Sequence, residues 1–234
     1  MSSWNDNGQG AHVGDSTAVY RTDFFPGLGW MLHRRTWLQL RATWPGAYWD
    51  DWMRGDRVRQ GRQCVRPDVC RTYNFGKSGA SKGQFFSQYL APVRLNTAWV
   101  PWTRQDLSFL AQPDAYARYF SSQVVAAQLV ASVEEALASA HGDDVALSYD
   151  CRAAFMRNAA QLGIMKEWKE GLPRASYQGV VTLSLHGGAG RLFLVPLEWL
   201  GKARAESIRE ARAQRALADG SEGREEEGSL TTSR

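Results

Sequence analysis

The sequence predicts an α/β protein in two parts, a first part over residues 1–90 and a small α+β part over 106–200, joined by a connection at 91–105. Three observations carry that prediction. In the first part, helically spaced apolar residues around Trp30–Ala42 and after Trp49 lead into CVRPDVCRTYNF (64–75), a β-branched and aromatic run broken by Pro67. In the second, YQGVVTLSLH and RLFLVPL (177–186, 191–197) flank GGAG, a hairpin signal. Between them DVALSYD (144–150) reads as a strand and CRAAFMRNAAQLG (151–163) as a helix closed by Gly163.

In chain order, the opening SSWNDNGQGAHVGDSTAVYRTD places Asn, Asp and Gly at turn spacing and leads to a short strand at Val19–Arg21. Pro26, Gly27 and Gly29 make FFPGLGW a tight turn. The spacing of Trp30, Met31, Trp37 and Leu38 predicts a mostly buried helix to Ala42, with His33 at the surface. A second helix is expected from Asp50 to about Gln60, with Arg54, Arg57 and Arg59 on its outer face. GKSGASKG (76–83) has no bulky apolar group to anchor it and predicts a mobile loop. It is not a phosphate loop, because Arg71 stands where the Walker pattern needs its first Gly. Helix is expected again at Gln84–Leu90, and YARYFSSQVVAAQLVAS is expected to turn from helix to strand at about Ser122. Residues 201–234 predict a frayed helix and a disordered tail.

Composition narrows the function classes. The 234 residues carry a net charge of +4, with positive residues interleaved among acids and no long basic run, which argues against a nucleic-acid footprint. Met1 precedes polar SSWNDNGQG, without the pattern of a secretory signal, and no apolar stretch approaches the roughly 20 residues needed to span a bilayer. Cys64, Cys70 and Cys151 make an odd count with no metal-type pair, and a Cys64–Cys70 bridge stays open. Six of ten tryptophans fall in the first 52 residues, which suits either carbohydrate binding or a tryptophan-rich core.

The candidate chemistry lies in WPGAYWDDWMR (44–54). Asp50 and Asp51 sit between Trp49 and Trp52 at an expected helix start, where free N–H groups and the helix dipole stabilise negative charge. A carboxylate walled by indoles suits a general base that takes a proton from a sugar hydroxyl. The plainer reading, a helix cap beside two core tryptophans, fits the same eleven residues.

YRTDFFPGLGW, WPGAYWDDWMR, GRQCVRPDVCRTYNFG, GASKGQFF and LPRASYQGVVT together resemble the N-acetylglucosaminyltransferase I family, in colinear order from Ser3 to about Pro196. The resemblance implies the C-terminal part of a GT-A type nucleotide-sugar-binding domain followed by a small α+β domain. It also implies a Golgi transferase that uses manganese to move GlcNAc from UDP-GlcNAc, with inversion, to an α-1,3-linked mannose of an N-glycan on glycoproteins. By position, Asp50 matches the family's general base and Asp51 its structural neighbour. Leu28 and Trp49 match residues lining the sugar pocket, and Ala80 and Ser81 the tip of a loop that orders over UDP-GlcNAc. Cys64 matches a cysteine that pairs upstream of WNDNG in the family.

Because WNDNG begins at residue 4, the acidic metal-binding motif and membrane anchor of the family are expected to lie outside this chain. The chain would then supply the base side of the reaction alone, and transfer by it in isolation is expected to be unmeasurable. Two other readings are a protein O-mannose β-1,2-N-acetylglucosaminyltransferase and a non-catalytic carbohydrate-binding remnant.

Overall fold

The computed structural model describes residues 1–78 and 82–228, with side chains as far as Ala213, and shows a mixed α/β architecture. Its centre is a four-stranded sheet of β3 (Gln128–Val130), β4 (Asp144–Tyr149), β8 (Gly190–Pro196) and β7 (Val181–Leu185), in that order. The first three run parallel, and β7 closes the sheet antiparallel to β8. Side chains alternate across the pleat, so Leu192 and Leu194 face one layer while Phe193 and Val195 face the other. Burial on both faces explains why β8 reads as an unbroken apolar run.

One face is covered by α5 (Val133–Leu137) and α6 (Arg152–Leu162), packed through Val133, Ala136, Phe155 and Ala159. The other carries α4 (Pro113–Ala126) and the start of α7 (Leu197–Gly228), through Tyr116, Phe120, Val124 and Leu200. Val19 of β1 (Val19–Thr22) and Val65 of β2 (Cys64–Pro67), an antiparallel pair, pack against that second layer.

Hydrogen bonds tie residues before the 91–105 connection to residues after it. Thr22 Oγ1 donates to the Ser176 carbonyl at 2.9 Å, Gln178 N to Asp23 Oδ2 at 2.6 Å, and Ser184 N to the His12 carbonyl at 2.8 Å. The His12 ring sits 2.7 Å from the Leu162 carbonyl, and burial pushes its pKa down.

The strands β1, β2, β4, β7 and β8, and α6 with Gly163 in the left-handed region at φ 70°, lie where the sequence predicts them. Four elements differ. The first helix, α1, spans only Arg34–Leu40 and buries only Leu40, because Trp30 and Met31 are taken by the N-terminal segment through the Ser2–Trp30 bridge and a 2.7 Å bond from Met31 N to the Met1 carbonyl. His33 is its N-cap, accepting from Arg35 N. The helix expected over Asp50–Gln60 breaks at Gly55 into α2 (Trp49–Arg54) and α3 (Asp56–Arg59), which turns Arg54 inward to 7% exposure instead of outward. Over 84–90 the regular part is a π-helical turn at Phe86–Leu90. Past Ser122, α4 continues to Ala126 because Tyr116, Phe120 and Val124 form one buried stripe at four-residue spacing, which outweighs the β-branched pair Val124 and Val125.

The short helix α5 and the hairpin of β5 (Trp168–Lys169) with β6 (Leu172–Pro173) add to the sequence reading. Helix α7 extends to Gly228, across part of the predicted tail; residues 229–234 and the loop tip 79–81 lie outside the described residues. No helix among the described residues is long and apolar enough to cross a membrane.

All three cysteines are free, so the open Cys64–Cys70 bridge is not formed. Cys70 is fully buried; its Sγ receives Asn5 N at 3.1 Å and donates to the Asn5 carbonyl at 3.3 Å. Burial pushes the Cys70 thiol up to about 12. Iodoacetamide at pH 8 is therefore expected to alkylate the exposed Cys151 in the native chain and to reach Cys70 only after denaturation, as peptide mass spectrometry would show. The linkage has one sign: the unfolded thiol ionises near 9 while the folded one holds its proton, so this stabilisation is complete below pH 9 and is lost as pH rises toward 12. A melting temperature that rose across that window would contradict it.

Candidate active site

Helix α2 follows the Pro45–Gly46 turn and starts after Tyr48, a non-glycine residue held in the left-handed region at φ 53°. Trp49, Trp52 and Met53 face an aromatic cluster that includes Phe25, Trp30 and Trp44. Trp49 lies 5.4 Å from Trp30 and stacks on Trp44 at 6.2 Å, while Trp52 meets Trp44 edge-on at 5.4 Å. The two indoles are thus half-buried against this cluster, which is the plainer of the two readings the sequence left open. With the hydrophobic face so committed, Asp50, Asp51 and Arg54 take the other directions.

The adjacent aspartates diverge. Asp51 Oδ2 accepts from Lys169 Nζ of β5 at 3.0 Å. Asp50 lines an open cleft of about 740 Å³, whose walls also include Gly27, Leu28, Arg54, Asn74, Phe85, Tyr89, Met165, Lys166 and Arg174. A Cβ on Gly27 would stand 3.2 Å from an Arg54 nitrogen and 3.6 Å from Asp50 Cβ, so glycine leaves this wall free of crowding.

Of the five residues singled out in the sequence, Asp50 and Leu28 share the cleft. Trp49 begins the same helix as Asp50 but packs into the aromatic cluster and is not part of the cleft lining. Ala80 and Ser81 lie outside the described residues, but Asn74 and Phe85, which flank their loop on either side, line the same cleft.

A chain of alternating charge runs along the cleft wall. Arg54 Nη1 lies 3.0 Å from Asp50 Oδ2 and 3.9 Å from Glu167 Oε1. Glu167 Oε2 accepts from Arg174 Nε at 2.6 Å and pairs with the same guanidinium a second time. Arg174 Nη1 then donates to Asp6 Oδ1 at 2.6 Å, and Trp4 Nε1 donates to that oxygen at 3.2 Å. Both guanidiniums lie over the Phe24 ring, Arg54 at 4.9 Å and Arg174 at 5.1 Å from its centroid. Burial alone would lower the Arg174 pKa; the Asp6 and Glu167 carboxylates outweigh it and hold the guanidinium above its ordinary value.

Sequence reasoning missed Arg54, Asp6, Glu167 and Arg174 as site residues. The i,i+4 spacing of Asp50 and Arg54 was a usable signal, since that spacing places two side chains on one helix face. Asp6 and Arg174 are 168 residues apart, and no local pattern joins them.

Manganese, implied by the family resemblance, does not fit the donor set found here. Among the described residues no group of three or more His, Cys, Asp or Glu side chains is arranged to hold a metal ion. The cleft carboxylates Asp6, Asp50 and Glu167 are each tied to an arginine.

Comparison with known proteins gives two findings. The GNT-I family model matches residues 1–203. Alpha-1,3-mannosyl-glycoprotein 2-beta-N-acetylglucosaminyltransferase of Arabidopsis thaliana is 50% identical over 195 residues, which are 83% of this chain and 44% of that protein. The chain thus spans less than half the length of that relative.

Proposed function

The chain belongs to the GNT-I family, and on that premise we propose that it carries the acceptor side of an inverting transfer of GlcNAc from UDP-GlcNAc to an α-1,3-linked mannose of an N-glycan. The observation that carries this reading is the placement of Asp50 on an open cleft together with Leu28 and both flanks of the 76–83 loop. In the reaction, a mannose hydroxyl enters the cleft and an Asp50 oxygen takes its proton as the hydroxyl oxygen attacks the anomeric carbon. The attack displaces the diphosphate from the opposite face. A positioned base of this kind contributes about 10²–10⁴-fold in rate. By the same resemblance we place the protein on the lumenal side of the Golgi and infer a GT-A type arrangement for the whole enzyme.

On this reading Asp50 is the base for the acceptor, and the described residues hold no ligand set for a cation on the leaving diphosphate. Inverting transfer needs help at both ends. A radiolabelled-sugar assay on this chain with manganese, UDP-GlcNAc and an α-mannoside is therefore expected to show no turnover. Turnover that disappears in Asp50→Asn would overturn that expectation and uphold Asp50 as the base. Saturation-transfer NMR with methyl α-mannoside supplies the independent arm, with binding expected. Failure of the mannoside to bind at millimolar concentration would sink the acceptor-site reading itself.

A further inference from the structure

Asp50 presents its two oxygens unequally. Oδ2 is held by Arg54 Nη1 at 3.0 Å, whereas Oδ1 has no hydrogen bond from any described residue. Arg54 is the anchored partner of the pair, with its side chain 6% exposed against 41% for Asp50. Its Nε donates to the Phe25 carbonyl at 3.2 Å, its guanidinium lies over the Phe24 ring, and Glu167 approaches the same Nη1 from across the cleft. A buried planar fork fixed at its ε nitrogen and on one face has little freedom to swing, so the oxygen it holds is fixed with it. Without that hold, a half-exposed aspartate in the first turn of a six-residue helix would sample several rotamers.

We propose that Arg54 is the positioning residue of this cleft: it pins Asp50 Oδ2 and so directs Oδ1 at the acceptor hydroxyl. The proposal rests on the reading of Asp50 as the base. It assigns to Arg54 geometry and no contact with sugar, and to Glu167, Arg174 and Asp6 the task of keeping Arg54 in place.

The test needs neither donor nor metal. An α-mannoside bearing a 2,3-epoxypropyl group, incubated with the chain, places a strained electrophile near the base. A carboxylate oxygen of Asp50 attacks the terminal epoxide carbon, the ring C–O bond breaks, and the resulting alkoxide takes a proton from water, leaving an ester that peptide mass spectrometry locates. Wild type is expected to be modified at Asp50, with methyl α-mannoside competing, and Asp51→Asn to behave as wild type. Arg54→Lys keeps the charge but removes the planar fork whose Nε and Nη1 join the Phe25 carbonyl to Asp50. It is expected to lower the limiting modification rate at least tenfold while the half-saturating probe concentration changes less than threefold.

An unchanged limiting rate in Arg54→Lys, or a loss carried wholly by weaker probe binding, would overturn the positioning role and leave the base reading standing. Wild type left unmodified at Asp50 would sink both. Should Arg54→Lys lack a cooperative melt, Arg54→Gln, which keeps an N–H donor without the charge, carries the same tenfold expectation and is refuted by the same result.

Discussion

Replacing Arg174 with methionine is expected to cost about 3–5 kcal/mol of stability, the range for removing one member of a buried ion pair. In a chain of this length that corresponds to a melting temperature lower by about 6–20 °C. The size follows from what is left behind. Asp6 is 3% exposed, its Oδ2 already lacks a partner, and its Oδ1 would keep only the Trp4 indole N–H. A carboxylate cut off from both water and cation is among the most unfavourable groups a fold can contain. Glu167, about a third exposed, would lose its bidentate partner as well, but water can replace much of that. Methionine preserves the aliphatic stem against Phe24, so the measured loss reports the charge more than the packing. Asp6→Asn placed on top of Arg174→Met is expected to recover more than half of the loss, because the orphaned charge is then gone. Calorimetric melts of the single and double variants decide it. A single-variant loss under about 1 kcal/mol would mean that the Asp6 carboxylate finds other solvation and that the charge chain is ornamental.

What the sequence made legible was local. The 177–197 hairpin and the 151–163 helix are written in nearest-neighbour patterning, and both lie where that patterning puts them. The misplacement of Arg54 came from extending one helical phase through Gly55, where the backbone leaves the helix at ψ 139° and starts a second axis. The tryptophans of YWDDW left two readings open, since an indole beside a carboxylate and an indole beneath it give the same string. Packing decided for the core, because Phe25, Trp30 and Trp44 come from outside the helix to meet them. The charge chain was illegible for a different reason: Glu167 and Arg174 enter through a hairpin only two residues long in each strand, far below the length at which alternation can be detected.

Gly14→Ala is expected to abolish cooperative folding or to cost more than about 3 kcal/mol, although it adds a single methyl group to a loop. A Cβ at Gly14 would be driven into the Gly187 carbonyl and the Gly188 nitrogen, and all of these are backbone atoms with no rotamer to escape by. The loop is pressed there by bonds it cannot easily give up. Gly14 N and Asp15 N donate to Asp68 Oδ2 at 2.9 and 3.1 Å, and Ser184 Oγ donates to the same oxygen at 3.0 Å. Asp68 is 2% exposed; burial pushes its pKa up, and these donors together with Arg66 oppose the rise. Lifting the loop would therefore strip a buried carboxylate of two of its three hydrogen-bond donors. The damage would also reach the cleft, since the same segment carries Trp4 and Asp6 into it and Asp6 terminates the charge chain that holds Arg54. Gly201→Ala is the control: a Cβ there meets nothing within 4 Å on helix α7, and alanine should stabilise by about 0.5–1 kcal/mol. The same chemical change is thus expected to have opposite signs at two glycines. If Gly14→Ala instead melted like wild type, the opening segment would not be clamped onto the β7–β8 turn, and the position of Asp6 would need another cause.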